Sequence, residues 1–122
     1  MYAFFTIFIG GGLGAVSRHY LSVYLMRMTA INAPWAILLI NLLGCLGIGF
    51  FSAYLSRLTH AQLWQWFLLT GFLGGFTTYS TFTLNLIQLG EIHLASAFLN
   101  LFLHLGGGIL CCFVGFWLAR AV

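Results

Sequence analysis

The chain has 122 residues, of which 62% are hydrophobic and 4% charged, against about 25% charged in an ordinary soluble domain. Its charges are Arg18, Arg27, Arg57, Glu91 and Arg120, too few to build a water-facing surface, so most of the exterior must meet lipid. The net charge of +3 comes from arginines spread singly, which excludes a nucleic-acid partner that needs a basic stripe, and the length allows one domain, residues 1–122.

Four apolar stretches are each long enough to cross about 30 Å of hydrocarbon as a helix. The first covers residues 4–26. Gly10 and Gly14 stand one turn apart in it, a small-residue spacing that lets helix backbones approach. Arg18 falls in its last third, where a long side chain can snorkel to the interface as an anchor or hold anions in a vestibule.

After a polar break at residues 27–32, the second stretch covers 34–55 and opens on Pro34, the only proline. Asn41 lies near its middle. An amide in hydrocarbon must find protein or water, so Asn41 is either interhelical glue or an N–H donor aimed at an anion. Cys45, and later Cys111 and Cys112, sit in apolar runs and read as small packing residues. Adjacent cysteines on a helix suit neither a disulfide nor a metal pair.

A second break at residues 56–60 leads to the third stretch, 63–86. Gly71 and Gly75 repeat the small-residue spacing. The run Gly74-Gly75-Phe76-Thr77-Thr78-Tyr79-Ser80-Thr81-Phe82-Thr83 is the poorest helix-forming segment of the chain. Packing alone does not call for five threonine and serine hydroxyls there. A broken helix at mid-membrane depth does, since irregular backbone is tolerated only beside protein or a wet cavity.

A third break at 88–93 precedes the fourth stretch, 94–118. Asn100, His104, Gly108 and Cys112 recur every four residues and share one helical stripe. That stripe is the wall of a wet path or a line of interhelical bonds. The glycines 106–108 are read as close-packing positions. Trp35, Trp64 and Trp66 lie at segment ends, where indole favours the headgroup zone. Short breaks force antiparallel neighbours, so the expected fold is all-α, an up-down-up-down bundle of four transmembrane helices with a broken third helix.

Absences narrow the function. The chain has no Asp, and its one Glu is placed in a loop, so no Ser-His-Asp or Cys-His-Asp set exists. No phosphate-binding loop or metal-ligand spacing occurs, and an enzyme is not expected. A small four-helix multidrug exporter is the alternative of similar size. It would need an intramembrane carboxylate for proton coupling, and the first stretch has none. A lytic pore former would not need the Thr/Ser run.

Three motifs together resemble the Fluc (CrcB) family of fluoride channels. They are Gly11-Gly12-Leu13-Gly14-Ala15-Val16-Ser17-Arg18, Asn41-Leu42-Leu43-Gly44-Cys45, and Gly71-Phe72-Leu73-Gly74-Gly75-Phe76-Thr77-Thr78-Tyr79-Ser80-Thr81-Phe82. The resemblance spans all four stretches in order and implies passive, fluoride-selective export across the plasma (inner) membrane of a microbe, relieving fluoride toxicity. It implies an antiparallel, dual-topology homodimer with two pores. Asn41, Tyr79, Ser80, Thr81, Phe82, Asn100 and His104 would line the fluoride path, with Arg18 at the vestibule. Carbonyls of Gly74 and Thr77 would hold a structural Na+ at the dimer interface.

The physics suits those roles. An aromatic ring is positive at its edge and can face a bare anion edge-on, while amide and hydroxyl donors replace part of the hydration shell. The chain departs from the family at four places: Tyr79 stands where Phe is usual, Asn85 where Glu is common, Ile37 where Thr is frequent, and Gly108 with Cys112 where hydroxyls are frequent. Orientation is set by the arginines of short loops. Arg57 and Arg120 fall on one side, Arg27 and Arg18 on the other, so neither side dominates and insertion in both orientations is expected.

Overall fold

A computed structural model describes residues 1–122. It is 89% helical without strands, and its helices form four segments. Helix α1 spans Tyr2–Thr29 and α2 spans Ala33–Leu55. The third segment is in two pieces: α3, residues 62–76, and α4, Tyr79–Ile92. Helix α5, Leu94–Ala121, is the fourth.

Local chemistry sets these boundaries. Ala30 ends α1 in the left-handed region with φ 53, and the next helix starts within three residues with Pro34 in its first turn, where a missing N–H costs nothing. The break expected at residues 88–93 is narrower in the structure. Helix α4 continues through Gly90 and Glu91, and only His93 (φ −145, ψ 96) separates it from α5. The His93 N–H still donates to the Leu89 carbonyl at 2.8 Å, while its own carbonyl accepts from the Ala97 N–H at 3.1 Å. One residue therefore closes one helix and opens the next.

Two helices, Ala33–Leu55 and Leu94–Ala121, are long and apolar enough to cross a membrane as continuous spans. The other two segments fall short of that standard for separate reasons. Helix α1 carries Arg18, Arg27 and several serines and threonines, and the third segment is interrupted, which leaves α3 and α4 too short to qualify singly.

Glycine decides which helices touch. Helix α1 lies along α3, and α2 along the C-terminal half of α5. At the first contact Gly10 packs on Gly71 and the Phe67 carbonyl, Gly14 on the Phe72 carbonyl, and Gly75 on the Gly11 carbonyl. At the second, Gly49 meets the Cys112 carbonyl and Gly115 the Leu46 carbonyl. A Cβ at any of these would overlap backbone, so only glycine permits the approach. The expected role of glycines 106–108 is corrected in part. Gly107 and Gly108 face Leu42 and Cys45, but Gly106 has nothing near it.

Only 21 of 122 residues are buried, and the apolar cluster among them is Ile37, Ile40 and Phe82, with Leu21, Leu25, Phe76, Leu86 and Leu101 packed against it. The exposed area is 7937 Å², where a compact soluble chain of this mass would expose about 6,500 Å². Phe4, Phe8, Phe98, Phe102, Phe113 and Trp117 all point outward. Water would penalise such an exterior, and lipid or another apolar surface would not.

Candidate functional site

The interruption between α3 and α4 builds the site. Helix α3 contains a π-helical stretch at Gln65–Leu73, then a last turn Gly74–Phe76. Thr77 (φ −82, ψ 156) and Thr78 (φ −149, ψ 118) are extended, and α4 begins at Tyr79. These are ordinary extended angles, so the break stores no backbone strain. It does leave polar backbone groups that an apolar environment cannot solvate.

Side chains satisfy most of them. Both the N–H and the Oγ1–H of Thr77 donate to the Leu73 carbonyl at 3.0 Å, which closes α3. Thr78 Oγ1 caps α4 by accepting from the Thr81 N–H at 3.3 Å, and it donates to Thr81 Oγ1 at 3.1 Å. Ser80 Oγ joins this cluster at 3.3 Å.

Asn41 supplies what remains from across the bundle. Its Nδ2 donates to the Thr78 carbonyl at 3.1 Å, and its Oδ1 accepts from the Thr78 N–H at 2.9 Å. The amide thus stands in for the peptide group of a neighbouring strand and holds both faces of one extended residue. Of the two roles open to Asn41, the interhelical bond is present, and one amide N–H is left over. Gly44, one turn further along α2, gives Thr77 room, since a Cβ there would overlap the Thr77 Cγ2 methyl.

Beside this junction lies a cleft of about 290 Å³. Asn41, Thr77, Thr78, Tyr79, Phe82 and His104 line it, along with Gly44 and Cys45, and no Asp, Glu, Lys or Arg does. Phe82 is 5% exposed and forms one wall. Its ring centroid is 5.7 Å from that of Tyr79 with planes at 59°, and 4.0 Å from that of His104 at 33°. Tyr79 is 77% exposed and stands at the rim.

The stripe on α5 passes behind this wall. Asn100 is fully buried and donates through Nδ2 to the Pro34 carbonyl at 3.3 Å. His104 Nδ1 lies 3.0 Å from the Asn100 carbonyl. A carbonyl only accepts, so Nδ1 carries the proton. Asn85 Nδ2, Asn100 Oδ1 and His104 Nε2 are buried without partners.

The cleft therefore gathers Asn41, Thr77, Tyr79, Phe82 and His104. Ser80 and Thr81 brace the junction through Thr78, Asn100 lies behind the wall, and Gly74 is exposed one turn before the break. The Arg18 side chain makes no hydrogen bond within the chain and does not line the cleft. Sequence reading did not single out Thr78, the centre of the network. Its own residue type was visible, but its partner Asn41 lies 37 positions away.

The carbonyls expected to bind a cation are available. The Thr78 N–H, which a continuous helix would send to the Gly74 carbonyl, goes to Asn41, and the Thr77 carbonyl accepts no hydrogen bond within the chain. Uncharged oxygens of this kind suit a hard monovalent cation.

Comparison with known proteins gives the same lineage over nearly the whole length. The fluoride-specific ion channel FluC of Mesorhizobium japonicum is 35% identical over 123 residues, covering 100% of this chain and 99% of that one. FluC 1 of Moorella thermoacetica is 44% identical over 116 residues, covering 92% of this chain and 81% of its own. FluC of Phocaeicola vulgatus is 36% identical over 124 residues, with 98% and 100% covered. Residues 5–116 match the family described as CrcB-like protein, Camphor Resistance (CrcB), and the chain, an integral membrane protein, belongs to that family.

Proposed function

We propose that this chain is a fluoride-selective channel subunit that lets fluoride leave a microbial cell passively through its inner membrane. The observation that carries the reading is the junction itself: an uncharged cleft, walled by the Phe82 ring, beside a helix interruption that Asn41 holds open. The naming of the full-length relatives as fluoride-specific ion channels supports it.

Fluoride gives up water reluctantly, so a conducting path must return donors without a permanent charge that would trap the ion. Here those donors are the free N–H of Asn41, the hydroxyls around Thr78 and the positive ring edges of Phe82 and Tyr79. The N-terminal end of α4 adds partial positive charge. His104 extends this polar lining to α5, while Ser80 and Thr81 support it through Thr78 and Asn100 supports it from behind through His104. Arg18, one turn past the Gly14 contact on α1 and outside the cleft lining, would draw anions toward a vestibule.

Two copies pair antiparallel in this reading, each contributing to two pores. The outward-facing aromatic surface is then shared between lipid and the second copy. Carbonyls of Gly74 and Thr77 from both copies would meet near the two-fold axis and hold one sodium ion, whose charge offsets the mutual repulsion of those oxygens.

Purified protein in liposomes loaded with fluoride tests the proposal. Rapid fluoride release with chloride almost retained is expected. Equal release of both halides would reject it.

A further inference from the structure

The imidazole of His104 has one nitrogen with a fixed role and one with none. Nδ1–H is committed to the Asn100 carbonyl at 3.0 Å, whereas Nε2 is buried and unpartnered. The ring lies almost against Phe82, 4.0 Å between centroids, and borders the cleft. It also sits in a π-helical stretch, Leu103–Gly107, a local widening of the helix that recurs at functional positions. A purely structural histidine would pair both nitrogens or leave the second in water.

The two protonation states of this ring meet an anion differently. In the neutral ring, Nε2 presents a lone pair, which repels fluoride. When a proton from water binds that lone pair, Nε2 becomes an N–H donor and the ring a cation, with no bond broken in the protein. A buried donor without a partner is costly, and a buried charge more so. No carboxylate borders the cleft to balance it; the other titratable side chains there are Cys45 from α2 and Tyr79 from α4, with Cys111 and Cys112 further along α5. No group of the chain supplies that partner, and an anion in the cleft beside Phe82 would supply it.

We infer that His104 couples proton binding to fluoride binding in this pore: the protonated ring holds the anion next to Phe82, and the neutral ring turns it away. The inference rests on the fluoride-channel reading above. It adds that the flux depends on pH through one residue. The proton stays on the ring as fluoride passes and returns to water afterwards, so the channel remains passive.

Fluoride release from liposomes at equal pH on both sides tests this between about pH 5 and 8, the range in which histidine changes charge. The wild type should conduct best at the acid end. Once the ring is mostly neutral, flux should fall by about tenfold per pH unit, following the protonated fraction. His104→Gln carries a permanent amide donor and should give a flat profile, and His104→Ser serves if that variant does not fold. By linkage, fluoride should also favour the protonated ring. In 15N-histidine-labelled wild type, the His104 signal should therefore show more protonation when fluoride is added, and this readout needs no variant. A flat wild-type profile, or the same slope in wild type and variant, overturns the inference while leaving the fluoride-channel reading intact. So does a His104 signal indifferent to fluoride. Absence of fluoride release at every pH rejects the channel reading instead.

Discussion

Asn41 does for Thr78 what a β-strand does for its neighbour, and that is why one side chain can hold a helix apart. The Thr78 N–H and carbonyl are both bonded to the Asn41 amide, at 2.9 and 3.1 Å. Asn41→Ala would strand both backbone groups, at a cost of about 1–3 kcal/mol for each buried group left unpaired. A lower midpoint of thermal unfolding in detergent, together with lost fluoride flux, is the expected outcome. Asn41→Asp keeps an acceptor for the N–H but sets a carboxylate oxygen against the Thr78 carbonyl, so it should not rescue either property. The rings can be separated in the same assay. Phe82 is buried in the wall and Tyr79 stands at the rim, so Phe82→Ile should cut flux sharply while the protein stays folded, and Tyr79→Phe should conduct. A fully active Phe82→Ile protein would reduce that ring to packing.

Among the elements, helix pairing rests on which glycines carry a neighbour's backbone. Gly14 and Gly12 lie on the same helix two residues apart, yet a Cβ at Gly14 would overlap the Phe72 carbonyl and one at Gly12 would touch nothing. Gly14→Ala must push α1 away from α3, an overpacking change of about 1–3 kcal/mol. Gly12→Ala should be neutral or stabilising by up to about 1 kcal/mol, since alanine favours helix. Thermal unfolding of the two variants side by side checks the contrast. The spacing of Gly10 with Gly14 and of Gly71 with Gly75 made the α1–α3 contact legible in the sequence. The α2–α5 contact was marked less plainly, by Gly49 with Ala53 and Gly115 with Ala119, where alanine takes the place of the second glycine. Composition likewise marked the segment where α3 gives way to α4, through its threonines. It could not show that Asn41 would bridge it, because a hydrogen bond across 37 residues leaves no local trace. Gly90 and Glu91 read as a loop for the opposite reason: they have turn chemistry, but the backbone ladder carries α4 past them to Ile92.

For the whole molecule, the proposed antiparallel pair would bring the carbonyls of its two interrupted helices together only with something positive between them. With the Thr77 carbonyl unpaired and the Thr78 N–H diverted from Gly74, sodium held by Gly74 and Thr77 would join the copies. Exchanging sodium for a large organic cation should lower flux or shift the dimer toward monomer in a dissociation assay. Indifference in both measurements would mean that hydrogen bonds alone close the junction.

Orientation is the last requirement of such a pair, because both directions of insertion must come from one polypeptide. Arg57 lies in the exposed turn after α2 and Arg120 in the last turn of α5, while Arg27 ends α1 and is equally exposed. Arg18 is only partly exposed and lies nine residues before Arg27, about 13 Å deeper along the helix, so it pulls on orientation less than a loop arginine. The sides hold Arg57 and Arg120 against Arg27 and a weakened Arg18, a difference too small to fix one orientation. Reporter domains fused to the C-terminus should therefore give signal from both sides of the membrane. Two lysines added after Arg120 should drive that end to the cytoplasm and lower the fluoride resistance of the host, since copies that all point one way cannot build the antiparallel pair. A companion chain carrying two lysines in the 30–32 turn instead should insert the other way up and restore resistance when both are expressed. A wild-type reporter seen on one side only would defeat the dual-topology assembly.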